Sequence, residues 1–171
     1  MRLPTKLTIT DDSGFLGIVD ANAYKTFVSE DWELPQLLGH FVNEMNNNHL
    51  VFWATNLENT WTVNFAEHPS DQHSFREFHK TLEVTNGKIF LTNYEDLTMA
   101  AQFANEKIPA KHNADLELPL PNGLYTFLVR QLFDAENPDE AMEKEVHFEI
   151  VMKPSTDKSM KPIEKIFWMT E

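Results

Sequence analysis

The chain has no cysteine. Disulfide frameworks, thiolate zinc sites, iron–sulfur clusters and cysteine nucleophiles are thereby excluded. Glycine is scarce, five residues in 171, and none falls in the G-x-G-x-x-G or Walker arrangement that cradles a phosphate. Basic residues are also few. There are 14 against 27 carboxylates, a formal net charge of −13. A nucleic-acid binder needs a basic stripe to displace counterions from phosphate, and an anionic bilayer repels an acidic surface. Neither nucleic acid nor a membrane is therefore an expected partner. No run approaches the roughly 18 apolar residues of a membrane span. The start, Met1-Arg2-Leu3-Pro4-Thr5-Lys6-Leu7, lacks the apolar stretch of a signal peptide. A cytoplasmic protein is expected.

What remains is ample for folding. With 42% hydrophobic and 12% aromatic residues, the chain is too apolar for disorder. Its length suits a single domain over residues 1–171. Period-two alternation marks strands at 7–10, 15–19, 49–54, 60–66, 82–91 and 116–120, and around Val146, Phe148, Ile150 and Met152. The run 124–133 is apolar on both faces, as a central strand should be. Asp11-Asp12-Ser13-Gly14 is turn chemistry. Asn86-Gly87, between two apolar-alternating runs, predicts a type I′ hairpin pairing Val84 with Ile89 and Leu82 with Leu91. One strong helix is expected. Leu34, Leu37, Leu38, Phe41, Val42 and Met45 fall on one face, with Asp31 as N-cap, Pro35 in the first turn and Asn46-Asn47-Asn48 as the stop. Residues 94–103 read as a short helix or a loop, and the tail 163–169 as a segment that docks back. The expected fold is mainly β in an α+β sense: an antiparallel β-sandwich with one principal amphipathic helix after the first strands.

The residues offer little chemistry. His68, His73 and His79 are the nearest group of histidines, but their spacing matches no metal-ligand motif, so no metal and no cofactor is expected. Ser13 lacks the nucleophile elbow, and chance accounts for paired carboxylates in a chain with 27 of them. No catalytic residue is identified. Trp32 stands between Asp31 and Glu33 at the front of the helix. It reads either as an exposed anchor for a partner or as a hydrophobic staple fixing the helix entry. The most suggestive segment is acidic: Asp134, Glu136, Asp139, Glu140, Glu143 and Glu145, relieved only by Lys144. Such a run is either a solvated loop or a focused negative field that captures basic partners and speeds their association.

Leu-Glu-Val-Thr-Asn-Gly-Lys-Ile at 82–89, Asp-Leu-Glu-Leu-Pro at 115–119, Asn-Gly-Leu-Tyr at 122–125 and the apolar strand after them resemble the competence protein J family. Upstream, Asp31-Trp32 opening a helix and a strand with Val51-Phe52-Trp53 follow the same order. The acidic loop and the tail past Lys153 depart from the pattern. The namesake is a small bacterial cytosolic inhibitor of a DNA-entry nuclease, so the resemblance implies inhibition by binding.

The expected function is therefore a non-catalytic, inhibitor- or immunity-type binding protein that neutralises a basic nuclease or toxin. Its partner-binding residues would be Trp32, Asp134, Glu136, Asp139, Glu140 and Glu143. Two alternatives stand beside it: a β-sandwich that binds a small ligand or carbohydrate, and a β-rich protein that self-associates, for instance as a homodimer, through an exposed edge strand.

Overall fold

A computed structural model describes residues 3–157 and 161–170. The first two strands, β1 (Thr5–Asp11) and β2 (Phe15–Val19), lie in different sheets. The Asp11–Gly14 turn is therefore a corner of the sandwich. Helix α1 (Leu34–Asn46) follows, then β3 (Leu50–Ala54), β4 (Asn59–Ala66), β5 (Arg76–Val84) and β6 (Lys88–Asn93). The chain continues through α2 (Tyr94–Gln102), β7 (Glu117–Pro119), β8 (Gly123–Gln131), α3 (Pro138–Glu143) and β9 (Phe148–Pro154). One sheet has the order β1-β4-β9-β8-β5 and the other β3-β2-β6-β7. Two open sheets packed face to face, with helices, make the α+β sandwich that the alternation predicts.

Between the sheets lies one core, built on Ile9, Val51, Trp53, Trp61, Phe65, Phe127 and Phe148. A second core forms where α1 and α2 cover the outer face of the four-stranded sheet, around Leu37, Phe41, Met45, Phe52, Phe90 and Leu97. This is why β3 is buried at every position: Val51 and Trp53 face one core, Phe52 the other. Residues 94–102 are helical because Asn93 caps the segment, its side chain accepting the Asp96 N–H at 2.9 Å. The tail docks as a strap. Ala54 N–H bonds Phe167 C=O at 2.9 Å, and Phe167 stacks on Phe78 at 3.8 Å.

Three expectations are corrected. The Asn86-Gly87 segment is not a hairpin: β5 pairs with β8, and β6 pairs with β2 and β7. Leu82, Val84, Ile89 and Leu91 do share the inter-sheet core, but they reach it from opposite sheets. Alternation sends the same side chains inward whether a short turn stays in one sheet or crosses to the other. Here Gly87 at φ +71° turns the corner, and it is held by its N–H to Asn122 Oδ1 at 2.7 Å. Next, α1 starts at Leu34 with Glu33 at the N-cap position and no side-chain cap. Trp32 packs on the second core, which holds its approach extended past Asp31, so Pro35 sets the first turn. Finally, one strand pair is parallel. β9 enters between β8 and β4, antiparallel to the first and parallel to the second (Val63 opposite Phe148). The parallel pair β4 and β9 is joined by the whole stretch of chain through β5 to β8, far longer than the dozen residues a parallel connection requires.

The β1–β2 corner is organised by Asp11, which is wholly buried. Its Oδ1 accepts the N–H groups of Ser13, Gly14 and Phe15 at 3.1, 2.7 and 3.1 Å. Its Oδ2 accepts Thr55 Oγ1 at 2.7 Å and Trp61 Nε1 at 3.0 Å. Replacing Asp11 by alanine strands five donors. The D11A variant is expected to lose about 3–5 kcal/mol of unfolding free energy, read as a lower urea midpoint at unchanged slope. A loss below about 1 kcal/mol would mean that water replaces the carboxylate and that the corner is held elsewhere.

Candidate functional site

The acidic segment leaves β8 through Phe133, which is 1% exposed and stacked on Trp61 at 5.2 Å. Asp134 then folds the chain back. Its Oδ1 accepts Glu136 N–H at 2.8 Å and its C=O accepts Asn137 N–H at 3.0 Å. Asn137 caps α3, its Oδ1 accepting Glu140 N–H at 3.3 Å, and Pro138 supplies the preset first turn. The expected solvated loop thus contains a helix.

One residue of α3 faces the core. Ala141 is fully buried, while Met142 beside it is 80% exposed. The helix is latched by His147 at the approach to β9. His147 Nδ1 accepts Thr62 N–H at 3.0 Å, and its Nε2 lies 2.8 Å from Ala141 C=O. Since Nδ1 accepts, the proton sits on Nε2 and is donated to Ala141. Burial pushes the imidazole below its ordinary value, and the Ala141 hydrogen bond opposes this in part. Trp61 and Phe133 meet the ring edge-on at 5.0 and 5.9 Å.

The partner-binding residues expected from the sequence fall in two places. Glu136, Asp139 and Glu143 are exposed in the same segment as Met142, and Asp134 and Glu140 are half-buried in it. Glu145 follows, bonded to Lys6 of β1 at 3.5 Å with its side chain 89% exposed. Trp32 is not among them. It is half-buried against the second core under α1, with its indole N–H enclosed and unpartnered. His147 and Met142 escaped the sequence reading. His147 sits on the polar phase of its strand, and a lone methionine among carboxylates carries no motif.

Other titratable groups bind the fold together. Glu44 is 1% exposed and joins α1 to the preceding loop, its Oε1 accepting Lys25 N–H at 2.6 Å and lying 3.1 Å from His49 Nδ1. Arg130 and Glu149 form a buried ion pair, and they also hold Gln72 C=O (2.6 Å) and Ser70 N–H (2.9 Å) in the loop crossing the five-stranded sheet. Burial raises Glu95, which accepts the Asp12 N–H at the β1–β2 corner. Between α1 and the tail lies an apolar groove of about 380 Å³, lined by Leu38, Val42, Ile166 and Met169. It offers no convergent pair of acids for hydrolysis. Among the described residues no group of three or more His, Asp or Glu is placed to hold a metal ion, and no helix is long and apolar enough to cross a membrane.

No family model and no curated protein matches the chain. Solved structures do. The product of crocagin biosynthetic gene J superposes with a TM-score of 0.58 at 11% identity, over 88% of this chain and 96% of that one. ComJ from Bacillus subtilis, described as an inhibitor of the DNA degrading activity of NucA, superposes with a TM-score of 0.51 at 10% identity, over the same shares. The fold is ComJ-like. At such identities the likeness concerns the fold alone, and residues 134–145 must be judged on their own geometry.

That geometry separates two neighbours on α3. Enlarging Ala141, fully buried in the inter-sheet core, to leucine overfills its seat and is expected to cost about 1–3 kcal/mol. Cutting Met142 back to alanine removes an exposed side chain and should change stability by no more than about 0.5 kcal/mol. Thermal unfolding of A141L and M142A checks the contrast, and equal effects would contradict the orientation of the helix.

Proposed function

We propose that this protein is a non-catalytic inhibitor that covers the active cleft of a basic nuclease with the segment 134–145. The observation that carries the reading is α3 itself. It is a capped helix seated on the sandwich, with Met142 80% exposed among the exposed carboxylates of Glu136, Asp139 and Glu143. An apolar centre within a charged rim is the anatomy of a binding hot spot. A short helix fixed at both ends also has little ordering entropy left to lose on binding.

The chemistry follows from the partner's own task. A nuclease cleft is lined with cations that hold substrate phosphates, and rigid carboxylates can occupy those positions without offering a cleavable bond. The net charge of −13 attracts such a surface from a distance and raises the association rate. The anchor role falls to Met142 rather than Trp32, because the core already occupies part of that indole. The ComJ-like fold supports the kind of partner, since ComJ is described as acting on a nuclease.

The test is a DNA-degradation assay with NucA as the first probe and other basic nucleases beside it, titrated with the purified chain. Inhibition is expected at about 0.05 M salt, with an association rate that falls steeply toward about 0.15 M as the screening length shortens to about 8 Å. A triple variant E136Q/D139N/E143Q should slow association at least tenfold, and M142A should mainly speed dissociation. An association rate indifferent to salt, or full inhibition by the triple variant, would overturn the electrostatic mechanism.

A further inference from the structure

The contact that seats α3 tolerates only one protonation state. His147 meets a donor on one side, Thr62 N–H at 3.0 Å from Nδ1, and an acceptor on the other, Ala141 C=O at 2.8 Å from Nε2. The neutral ring with its hydrogen on Nε2 satisfies both. The other neutral tautomer would point hydrogen at hydrogen and lone pair at lone pair. The imidazolium sets a second N–H against that of Thr62, and the ring relieves that clash by turning out of its seat, which gives up the bond to Ala141 as well. We propose that His147 is a proton-operated latch that seats the acidic helix when neutral and releases it when protonated.

The surroundings give the charged ring no compensation. β4 contributes the Thr62 N–H and the Trp61 ring, and the end of β8 contributes Phe133 and the Leu132 N–H, which is spent on His147 C=O at 2.9 Å. From α3 comes only the Ala141 carbonyl; Asp139 and Glu143 are exposed and Glu140 is half-buried. No carboxylate forms an ion pair with the ring among the described residues.

The sign follows from burial. The folded value of His147 lies below the ordinary 6.5. The unfolded or unlatched chain therefore binds the proton more readily, and the seating free energy is complete above pH 6.5 and falls as pH drops toward the folded value. Released, α3 is too short to persist as a helix, and its carboxylates no longer project as one set. On the inhibitor reading this is regulation of the same surface: the complex would hold at neutral pH and let go in mildly acidic conditions, above the range where exposed carboxylates themselves titrate.

The latch is tested on the free chain, so that it stands or falls apart from the inhibitor reading. Two-dimensional NMR of the His147 ring should give neutral Nε2–H nitrogen shifts at pH 7.5 and a titration midpoint below 6.5. Amide exchange across residues 139–143, corrected for its intrinsic pH dependence, should lose at least tenfold protection through that same transition, while β8 and β9 stay protected. In H147N the asparagine Oδ1 can still accept from Thr62 but cannot reach Ala141, and exchange at 139–143, corrected in the same way, should be fast with no pH-dependent protection between 5 and 7.5. Should H147N fail to fold, the wild-type titration decides alone. Protection of α3 that is unchanged while the ring titrates, or a ring midpoint at or above 6.5, overturns the proposal.

Discussion

A carboxylate sealed away from water closes this sandwich. Asp11 sits where β1 turns into β2, which is where the chain passes from one sheet to the other. Its two oxygens take up three N–H groups of the turn, the hydroxyl of Thr55 between β3 and β4, and the indole of Trp61 in the inter-sheet core. Two corners and the core are thereby fixed to one side chain. The energetics are asymmetric. Each bond adds a modest net stability, but losing the acceptor would leave several donors buried and unpaired. The register of β1 against β4, Asp11 opposite Asn59 and Ile9 opposite Trp61, is the register that lets those bonds form.

The same rule accounts for much of the acidity. Asp20, Glu44, Asp96 and Glu149 are buried as well. Asp20 receives Thr85 beside the Gly87 corner, Asp96 holds Asn113 at 2.7 Å, and Glu149 pairs with Arg130. These carboxylates hold loops and corners and are spoken for. A net charge of −13 is therefore not a count of groups available to a partner. What sets residues 134–145 apart is that most of their acids point outward from a segment that is itself held in place.

Much of the fold was legible because period decides burial. Every strong alternating run became a strand, and the i, i+3, i+4 stripe from Leu34 to Met45 became α1. Topology was not legible, since alternation fixes which side chain turns inward and is silent on which sheet supplies it. Leu82 and Ile89 reach one core from two sheets, and the parallel pairing of β4 with β9 joins residues 85 apart in sequence (Val63 and Phe148). The acidic residues of the candidate site could be read from composition. Its latch could not, because the role of His147 depends on a backbone amide of β4 and a carbonyl of α3 that only the folded chain brings to opposite sides of one ring.

The hold on α3 can therefore be separated from the stability of the domain. Six residues cannot sustain a helix in water, where nucleation is costly and each added residue contributes one bond. The helix places a single small side chain, Ala141, in the core, which is little apolar area to keep it there. Its order must come from its ends, the Asn137 cap at the start and the His147 contact near the finish. The sandwich beneath rests on large aromatic side chains and on Asp11, and Ala141 is the one buried residue that α3 adds to its core. Such a division lets one face be ordered or released while the rest of the fold stays intact, because the free energies involved are those of one or two hydrogen bonds rather than of a core.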